Sequence, residues 1–266
     1  MLIALGLGLV VGVILALTGA GGGILAVPLL VFGLQMGVAQ AGPIGLLAVG
    51  MAAALGAILG LRDGIVRYRA AFLIAGSGML LSPFGLWIAH RIENRWLSVL
   101  FALILLLVAA RTLRQARPGT LATSAPSHDA QPCMRDAHSG RFIWTSSCAR
   151  ALGLSGAVAG LLSGLLGVGG GFVMVPALQR YTNLEMRSVV ATSLAVIALV
   201  SLIGVLASAA SGGMLWSVAM PFSAGALAGM FGGRLVSARL AGPHLQIGFA
   251  AVAVAVAIGM IAKALL

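Results

Sequence analysis

The chain has few charged residues. Asp, Glu, Lys and Arg make up 8% of its 266 positions, against 61% hydrophobic residues, and the mean hydropathy is +1.12. This is too little polar surface to cover a water-soluble globule, so that class of protein is excluded. The composition predicts an integral membrane protein.

Alternating polarity is missing as well. A strand of a membrane barrel would show about 10 residues of alternating polarity, whereas a membrane-crossing helix needs about 20 apolar residues. The stretches 97–110 and 247–266 are apolar almost throughout. We therefore expect an all-α fold.

Residues that carry enzyme chemistry are scarce. The five acidic residues all lie in or beside loops, which leaves no carboxylate pair inside the membrane for acid–base catalysis or a proton relay. The four histidines are spread over two loops and a linker at no metal-ligand spacing. The nucleotide-binding pattern G-x-x-x-x-G-K-[ST] does not occur. We expect neither an enzyme, nor a metal site, nor a cofactor.

Cysteine is limited to Cys133 and Cys148, both in one long polar segment and outside any CxxC pattern. We interpret them as two reduced thiols, since a disulfide would require that segment to lie outside the cytoplasm.

The formal net charge of +11 comes from basic residues scattered singly between apolar spans. This is the pattern of membrane loops rather than of a nucleic-acid-binding patch, so nucleic acid is not an expected partner.

Apolar segments dominate what the chain does contain. Eight are present, near 2–31, 39–60, 71–89, 97–110, 151–179, 188–209, 216–236 and 245–266. The region between the fourth and fifth is rich in Pro, Ser, Thr and Arg, which predicts a solvated linker. The expected organisation is a membrane repeat at 1–110, a cytoplasmic linker at 111–149 and a second membrane repeat at 150–266.

The two repeats match when one is shifted by 148 positions, which superposes "GAGGGILAVP" at 19–28 on "GVGGGFVMVP" at 167–176. Internal similarity at half the chain length is typical of transporters. Because the pattern returns in mid-chain, where no leader is cleaved, the first segment is expected to be retained rather than removed as a signal peptide. Small residues at every fourth position before each motif, such as Gly8, Gly12, Gly156 and Gly160, are expected to serve helix packing.

Each motif interrupts a membrane helix with glycines. Free amides are costly in hydrocarbon, so such an elbow persists only where protein or a water-filled cavity surrounds it. The half-helix beyond it starts with unpaired N–H groups and about +0.5 of a charge from its dipole, with a proline near its first turn. This predicts an anion site, although the same glycines would also serve a tight helix crossing. Thr18 and Ser163 are candidate hydroxyl donors, and Arg234 is a candidate cation whose alternative is to reach the membrane surface.

The doubled G-x-G-G-G-x-x-x-V-P motif, the "ATSL" at 191–194 and the two four-segment halves resemble the TauE/SafE sulfite exporter family, also called the TSUP family. The likeness covers nearly the whole chain. It implies an anion transporter of bacterial inner membranes for sulfite, sulfonates or related organosulfur compounds. The motif residues carried over are Gly19, Gly21, Gly22, Gly23, Pro28, Gly167, Gly169, Gly170, Gly171, Pro176, Thr192 and Ser193. The first half has "GPIG" at 42–45 opposite the last two, so hydroxyl groups are expected on one side of the site only.

The first segment of each half is near 30 residues, longer than the 20 or so that a crossing helix needs. If it crosses the membrane, the repeats are parallel and the basic residues divide 10 against 6 between the two sides. If it is a re-entrant hairpin, the repeats are inverted and the division is 13 against 3, the three being Arg91, Arg95 and Lys263. The positive-inside rule favours the hairpin. We expect inverted repeats, a cytoplasmic linker, both termini outside and elbows that meet near the midplane.

We therefore predict a secondary transporter, multi-pass in the inner membrane, that binds a small anion at the two elbows and rocks one half against the other. A passive channel for small anions or neutral solutes is the alternative, and a membrane scaffold without flux is a third. The expected partners are the small anion and the lipid bilayer, with a homo-oligomer left open.

Overall fold

The structure is a computed structural model that describes residues 1–18, 21–116, 133, 145–240 and 243–265. Within these ranges the chain forms ten α-helices and no strand beyond one isolated bridge between Cys133 and Thr182. The helices are α1 Leu2–Thr18, α2 Gly21–Gly33, α3 Val38–Arg62, α4 Tyr68–Arg91, α5 Asn94–Ala116, α6 Ser146–Leu166, α7 Gly171–Tyr181, α8 Met186–Ala210, α9 Trp216–Leu240 and α10 Pro243–Leu265.

The helices have the length and composition of membrane spans. Five of them, α3, α4, α5, α6 and α8, are long and apolar enough to cross a bilayer, as judged over the described residues. Among these five, α8 and α3 are the most buried inside the protein. The predicted all-α integral membrane fold is therefore confirmed, with α3 and α8 at its centre.

The first segment of each half forms two helices rather than one. In the first half α1 ends at Thr18 and α2 begins at Gly21, while Gly19 and Ala20 lie outside the described residues. In the second half α6 ends at Leu166 and α7 begins at Gly171. The described residues thus form ten helices where the sequence pattern indicates eight apolar segments.

The two prolines of the motif lie deeper in their helices than expected. Pro28 is inside α2 and Pro176 is inside α7. Both lie more than one turn beyond the first helical residue, since α2 begins at Gly21 and α7 at Gly171. The prediction that they sit near the first turn, where a missing N–H costs nothing, is wrong because each helix begins directly at its glycines.

The first two helices of each half, α1 with α2 and α6 with α7, form an antiparallel hairpin. A Cβ added to Gly22, at the start of α2, would overlap Leu15 near the end of α1, while one added to Gly33 would meet Leu7 near the start of α1. The contacts therefore move backward along α1 as α2 advances. In the second hairpin Gly170 likewise lies against Ala159 of α6.

The open end of the second hairpin is closed by a disulfide. Cys133 is bonded to Cys148 in the first turn of α6, and its N–H donates to the carbonyl oxygen of Tyr181, the last residue of α7, at 3.2 Å. Both cysteines are fully buried. The interpretation of these residues as two reduced thiols is therefore wrong for this structure, because folding brings the start of α6 and the linker together. Most of the predicted linker at 111–149 lies outside the described residues, and α5 extends into it as far as Ala116.

The central helices α3 and α8 run antiparallel. Gly50 lies against Ser201, Gly56 against Leu194, and Gly60 against Ala191, so the partner number falls as the α3 number rises. Around this pair, α1 runs parallel to α9 and α6 runs parallel to α4.

Glycines mediate the two parallel pairs. Gly8 and Gly12 of α1 lie directly on the backbone of α9 at Phe222 and Ala226. Gly156 and Gly160 of α6 lie in the same way on Ile74 and Gly78 of α4. Since no side chain intervenes, the backbones approach closely, and the packing role expected for these small residues is confirmed.

The second elbow, residues 167–170, is closely packed. Adding one methyl group there should therefore have a large effect on the stability of the fold. Gly167 has φ +72 and its added Cβ would overlap the backbone of Gly42, whereas Gly64 has φ +68 with nothing near its Cβ position. We expect Gly64→Ala to cost about 1–2 kcal/mol from backbone conformation alone. We expect Gly167→Ala to cost about 1–3 kcal/mol more, from overpacking. Thermal unfolding in detergent measures both, and equal losses of Tm would show that Gly167 and Gly42 are not in contact.

Candidate functional site

The second elbow, residues 167–170, is a left-handed glycine turn. Gly167, Gly169 and Gly170 have φ values of +72, +74 and +68, a region that side chains rarely adopt. The N–H of Gly167 donates to the carbonyl oxygen of Ser163 at 2.8 Å, which ends α6. The turn then reverses the chain into α7, whose N-cap residue is Gly170.

The next three amides of this turn have no acceptor in the part of the chain that the structure describes. The N–H groups of Val168, Gly169 and Gly170 make no hydrogen bond with any residue that the structure describes. The α7 N-terminus also has no side-chain cap, and Val168 is 1% exposed. A buried, unpaired amide costs free energy unless a ligand or water accepts its hydrogen. The elbow is therefore a buried set of donors at the positive end of a helix dipole.

The first hairpin contributes to the same region. The carbonyl oxygen of Val168 lies 2.8 Å from the position that a Cβ on Gly23 would take, so the start of α2 contacts the second elbow. Gly42 and Gly45 of α3 pack beneath Gly167. Among the residues predicted here, Gly23 is thus at the site and Gly22 packs on Leu15 of α1, while nothing is described for Gly19 or for the side chain of Thr18.

Three buried serines lie beside the second elbow or on the helices packed next to it. The Oγ of Ser201 on α8 lies 3.2 Å from the Cβ position of Gly169, and the Oγ of Ser82 on α4 lies 3.5 Å from that of Gly204, one turn along α8. The carbonyl group of Ser82 also packs against Gly164, the residue after Ser163. Ser82, Ser163 and Ser201 are 0–1% exposed. We call these three residues the serine cluster.

The serine cluster has no internal hydrogen bonds. None of its three hydroxyl oxygens has a hydrogen-bond partner among the described residues, and the same is true of the Ser193 hydroxyl on α8. A serine in a membrane helix ordinarily bonds a carbonyl of the preceding turn, as Ser155 does to Ala151 at 2.7 Å. Buried polar atoms without partners are rare in native proteins. The cluster therefore offers unused donors and acceptors, and the Ser201 hydroxyl lies directly beside the elbow.

Two predicted residues lie elsewhere. Thr192 is fully buried, but its Oγ1 accepts the N–H of Arg67 at 3.1 Å, at the residue that precedes α4. Arg234 forms an ion pair with Asp63 at 3.1 Å, with side chains 40% and 55% exposed. Asp63 follows α3, 14 residues beyond Val49, the α3 side chain nearest to Gly23, which corresponds to about 21 Å of helix.

Two of the three clustered serines, Ser163 and Ser201, belong to the second half of the protein, and Ser82 belongs to the first. The 148-residue shift that superposes the repeats places Leu15, Ala53 and Met230 opposite Ser163, Ser201 and Ser82, and all three are buried and apolar. The expectation of hydroxyl groups on one side of the site concerns Thr192 and Ser193 and stays a prediction, and Ser82 and Ser201 are not identified from the sequence. Among the described residues no group of His, Cys, Asp or Glu could hold a metal ion.

Comparison with known proteins gives consistent results. The profile of the family described as Sulfite exporter TauE/SafE matches residues 4–260. A "Probable membrane transporter protein" of Xylella fastidiosa (strain Temecula1 / ATCC 700964) is 32% identical over 266 residues, 98% of this chain and 95% of that protein. "Probable membrane transporter protein YunE" of Bacillus subtilis (strain 168) is 29% identical over 251 residues, 87% of this chain and 85% of that protein. No solved structure matches the chain.

The Ser201 hydroxyl has no hydrogen bond to the described residues, whereas Thr192 has one. Removing the two hydroxyls should therefore have different effects on thermal stability. Ser201→Ala removes a buried hydroxyl that has no partner, so we expect the Tm to stay the same or rise. Thr192→Val keeps the side-chain shape but leaves the Arg67 N–H without its acceptor, which should cost about 1–3 kcal/mol. Thermal unfolding of the two variants in detergent makes the comparison. An equal loss of Tm in both would mean that Ser201 has a structural partner.

Proposed function

We propose that this chain, a multi-pass membrane transporter that belongs to the sulfite exporter TauE/SafE family, moves sulfite, a sulfonate or a related small organosulfur anion across the inner membrane. The observation that supports this most directly is the pairing of unshared elbow amides with unbonded serine hydroxyls in one buried place. Both groups donate hydrogen bonds, and sulfur oxyanions present several acceptor oxygens. The chemistry required of the ligand is therefore that of a small anion.

The binding site would consist of the second elbow and the serine cluster, with the start of α2 as its other wall. The N–H groups of Val168, Gly169 and Gly170 and the hydroxyls of Ser82, Ser163 and Ser201 would hold the oxygens. Ser193 is a further candidate, because its buried hydroxyl also lacks a partner in the described chain. Arg234 would act outside this site, since it pairs with Asp63 at the far end of α3.

We propose that the halves are inverted repeats that rock against each other to alternate access to the site. The support is the direction of packing. Helices α3 and α8 occupy corresponding places in the two halves and run antiparallel, whereas parallel repeats would make them run the same way. The first two helices of each half form hairpins that return to the face from which they start.

The orientation we propose places the linker and α6 start in the cytoplasm and both chain termini outside. This puts 13 of the 16 basic residues on the cytoplasmic face and follows the positive-inside rule. The Cys133–Cys148 pair would then face a reducing compartment, where disulfides are usually transient. In this orientation we expect the two cysteines to be largely reduced in the cell.

A control variant can separate the loss of a ligand hydrogen bond at the serine cluster from a general effect of substitutions on α8. Ser201→Ala and Ser82→Ala each remove one hydrogen bond to a charged ligand, worth about 1.5–3 kcal/mol, so we expect KM for sulfite uptake to rise about 10- to 100-fold. Ser208→Ala is the matched control, because Ser208 is fully buried and unpartnered on the same helix but about 10 Å further along it.

The KM values of these variants are measured from sulfite uptake into proteoliposomes under an imposed gradient. An equal change in KM for Ser208→Ala and Ser201→Ala would contradict the site. Flux that does not saturate and needs no gradient coupling would indicate the passive channel instead.

The orientation has its own test. Reporters fused after Leu266 should show the C-terminus outside the cytoplasm, so that alkaline phosphatase is active there and green fluorescent protein stays dark. The opposite pattern would reverse the orientation and place the linker, with its disulfide, in the periplasm. A fusion within the linker, after Ala116, provides the internal control because it must give the reverse result.

A further inference from the structure

A second cluster of positive charge lies at the end of the protein opposite the linker. There the end of α2, the start of α5 and the end of α10 enclose a cleft of about 180 Å³. Its polar lining is Asn94, Arg95, Ser98 and Lys263, and its apolar lining includes Val31 and Met260. A water molecule needs about 10–15 Å³ by a comparable measure, so the cleft has room for a solute of several heavy atoms.

Neither cation of this cleft forms an ion pair with a carboxylate among the described residues. Lys263 Nζ donates to Gln35 Oε1 at 3.0 Å and to the Val31 carbonyl oxygen at 3.4 Å, and it lies 5.9 Å from the Phe32 ring centre. These partners are neutral. Arg95 makes no hydrogen bond or ion pair with the described residues. Glu93, the nearest acid in sequence, does not line the cleft and forms no ion pair in the described chain.

The residue that positions Lys263 is held in an unfavourable backbone conformation. Gln35 has φ +54 and is the one residue other than glycine with positive φ in the described ranges. Its Nε2 donates to the Phe32 carbonyl oxygen at 3.0 Å, which leaves Oε1 directed to the lysine. Strain of this kind costs about 1–3 kcal/mol and is concentrated at functional sites. The Gln35 amide thus uses its donor on its own turn and its acceptor on the ammonium group.

The remaining polar groups of the cleft also point to an anion. The Asn94 side-chain oxygen accepts the Val38 N–H at 2.7 Å, so its NH₂ group is the part left to bind a ligand. Asn94 is the first residue of α5, where the helix dipole favours negative charge. The cleft thus combines a guanidinium, an ammonium and an amide donor at a positive helix end.

We propose that this cleft binds a tetrahedral oxyanion of the phosphate or sulfate class through Arg95 and Lys263. Two sources share this chemistry: a free anion from the solution on this face, and the phosphate of an anionic lipid headgroup whose acyl chains lie beside Val31 and Met260. The inference uses residues remote from the elbow and does not depend on the proposed transport substrate.

The test uses the full-length protein carrying Ser201→Ala. This change weakens anion binding at the elbow, so that the affinity measured is that of the cleft. Sulfate affinity is measured by calorimetry in detergent, and retention of phosphatidylglycerol by native mass spectrometry. Arg95→Gln with Lys263→Gln removes both charges at similar size. Arg91→Gln is the matched control, because Arg91 is an exposed cation on the same face that stacks over Trp87 at 4.8 Å.

We expect the double variant to lose at least tenfold in sulfate affinity or in phosphatidylglycerol retention, with Arg91→Gln unchanged in both. Loss of sulfate binding identifies a free-anion site, and loss of lipid alone identifies a headgroup site. A double variant that keeps its Tm and binds both ligands like its parent would overturn the proposal. A loss of the same size in Arg91→Gln would also overturn it, since the effect would then follow the net charge of the face rather than the cleft.

Discussion

The structure depends on one constraint: a backbone amide that leaves its helix inside a membrane must find another acceptor. At the second elbow three consecutive amides leave the helix and have no acceptor in the described chain. The surrounding helices are arranged to keep lipid away from them. Gly42 and Gly45 allow α3 to pack directly beneath Gly167, and Gly23 brings α2 against Val168. An exposed turn would need none of these close approaches.

The two halves share an architecture but not a chemistry. Both have a hairpin, a central helix and a glycine-mediated parallel contact, yet the positions opposite the serine cluster are Leu15, Ala53 and Met230. The second half supplies the elbow amides, Ser163 and Ser201, and the first half supplies Ser82, while the equivalent position in the other half is apolar in each case. Symmetry of fold does not require symmetry of binding.

The main features of the fold follow from local sequence. The doubled glycine motif predicts the helix breaks, and the count of basic residues favours hairpins over crossing segments, because both depend on neighbours in sequence. Ser82 and Ser201 could not be identified in this way, since each is an isolated serine in an apolar helix whose importance arises from contact with Gly204 and Gly169. Thr192 and Arg234 show the reverse: they match a motif or a charge, but tertiary packing gives them partners in Arg67 and Asp63. The disulfide likewise depends on folding that brings residues 15 positions apart together.

The central claim is that an anion occupies the second elbow. Selenite is a heavier analogue of sulfite, and its selenium can be located by anomalous diffraction from crystals of the protein. We expect a selenium peak within hydrogen-bond reach of the Gly169 amide and the Ser201 hydroxyl, lost in crystals of Ser201→Ala. Well-ordered crystals in which the elbow amides face only protein, with selenium absent or bound elsewhere, would contradict the account.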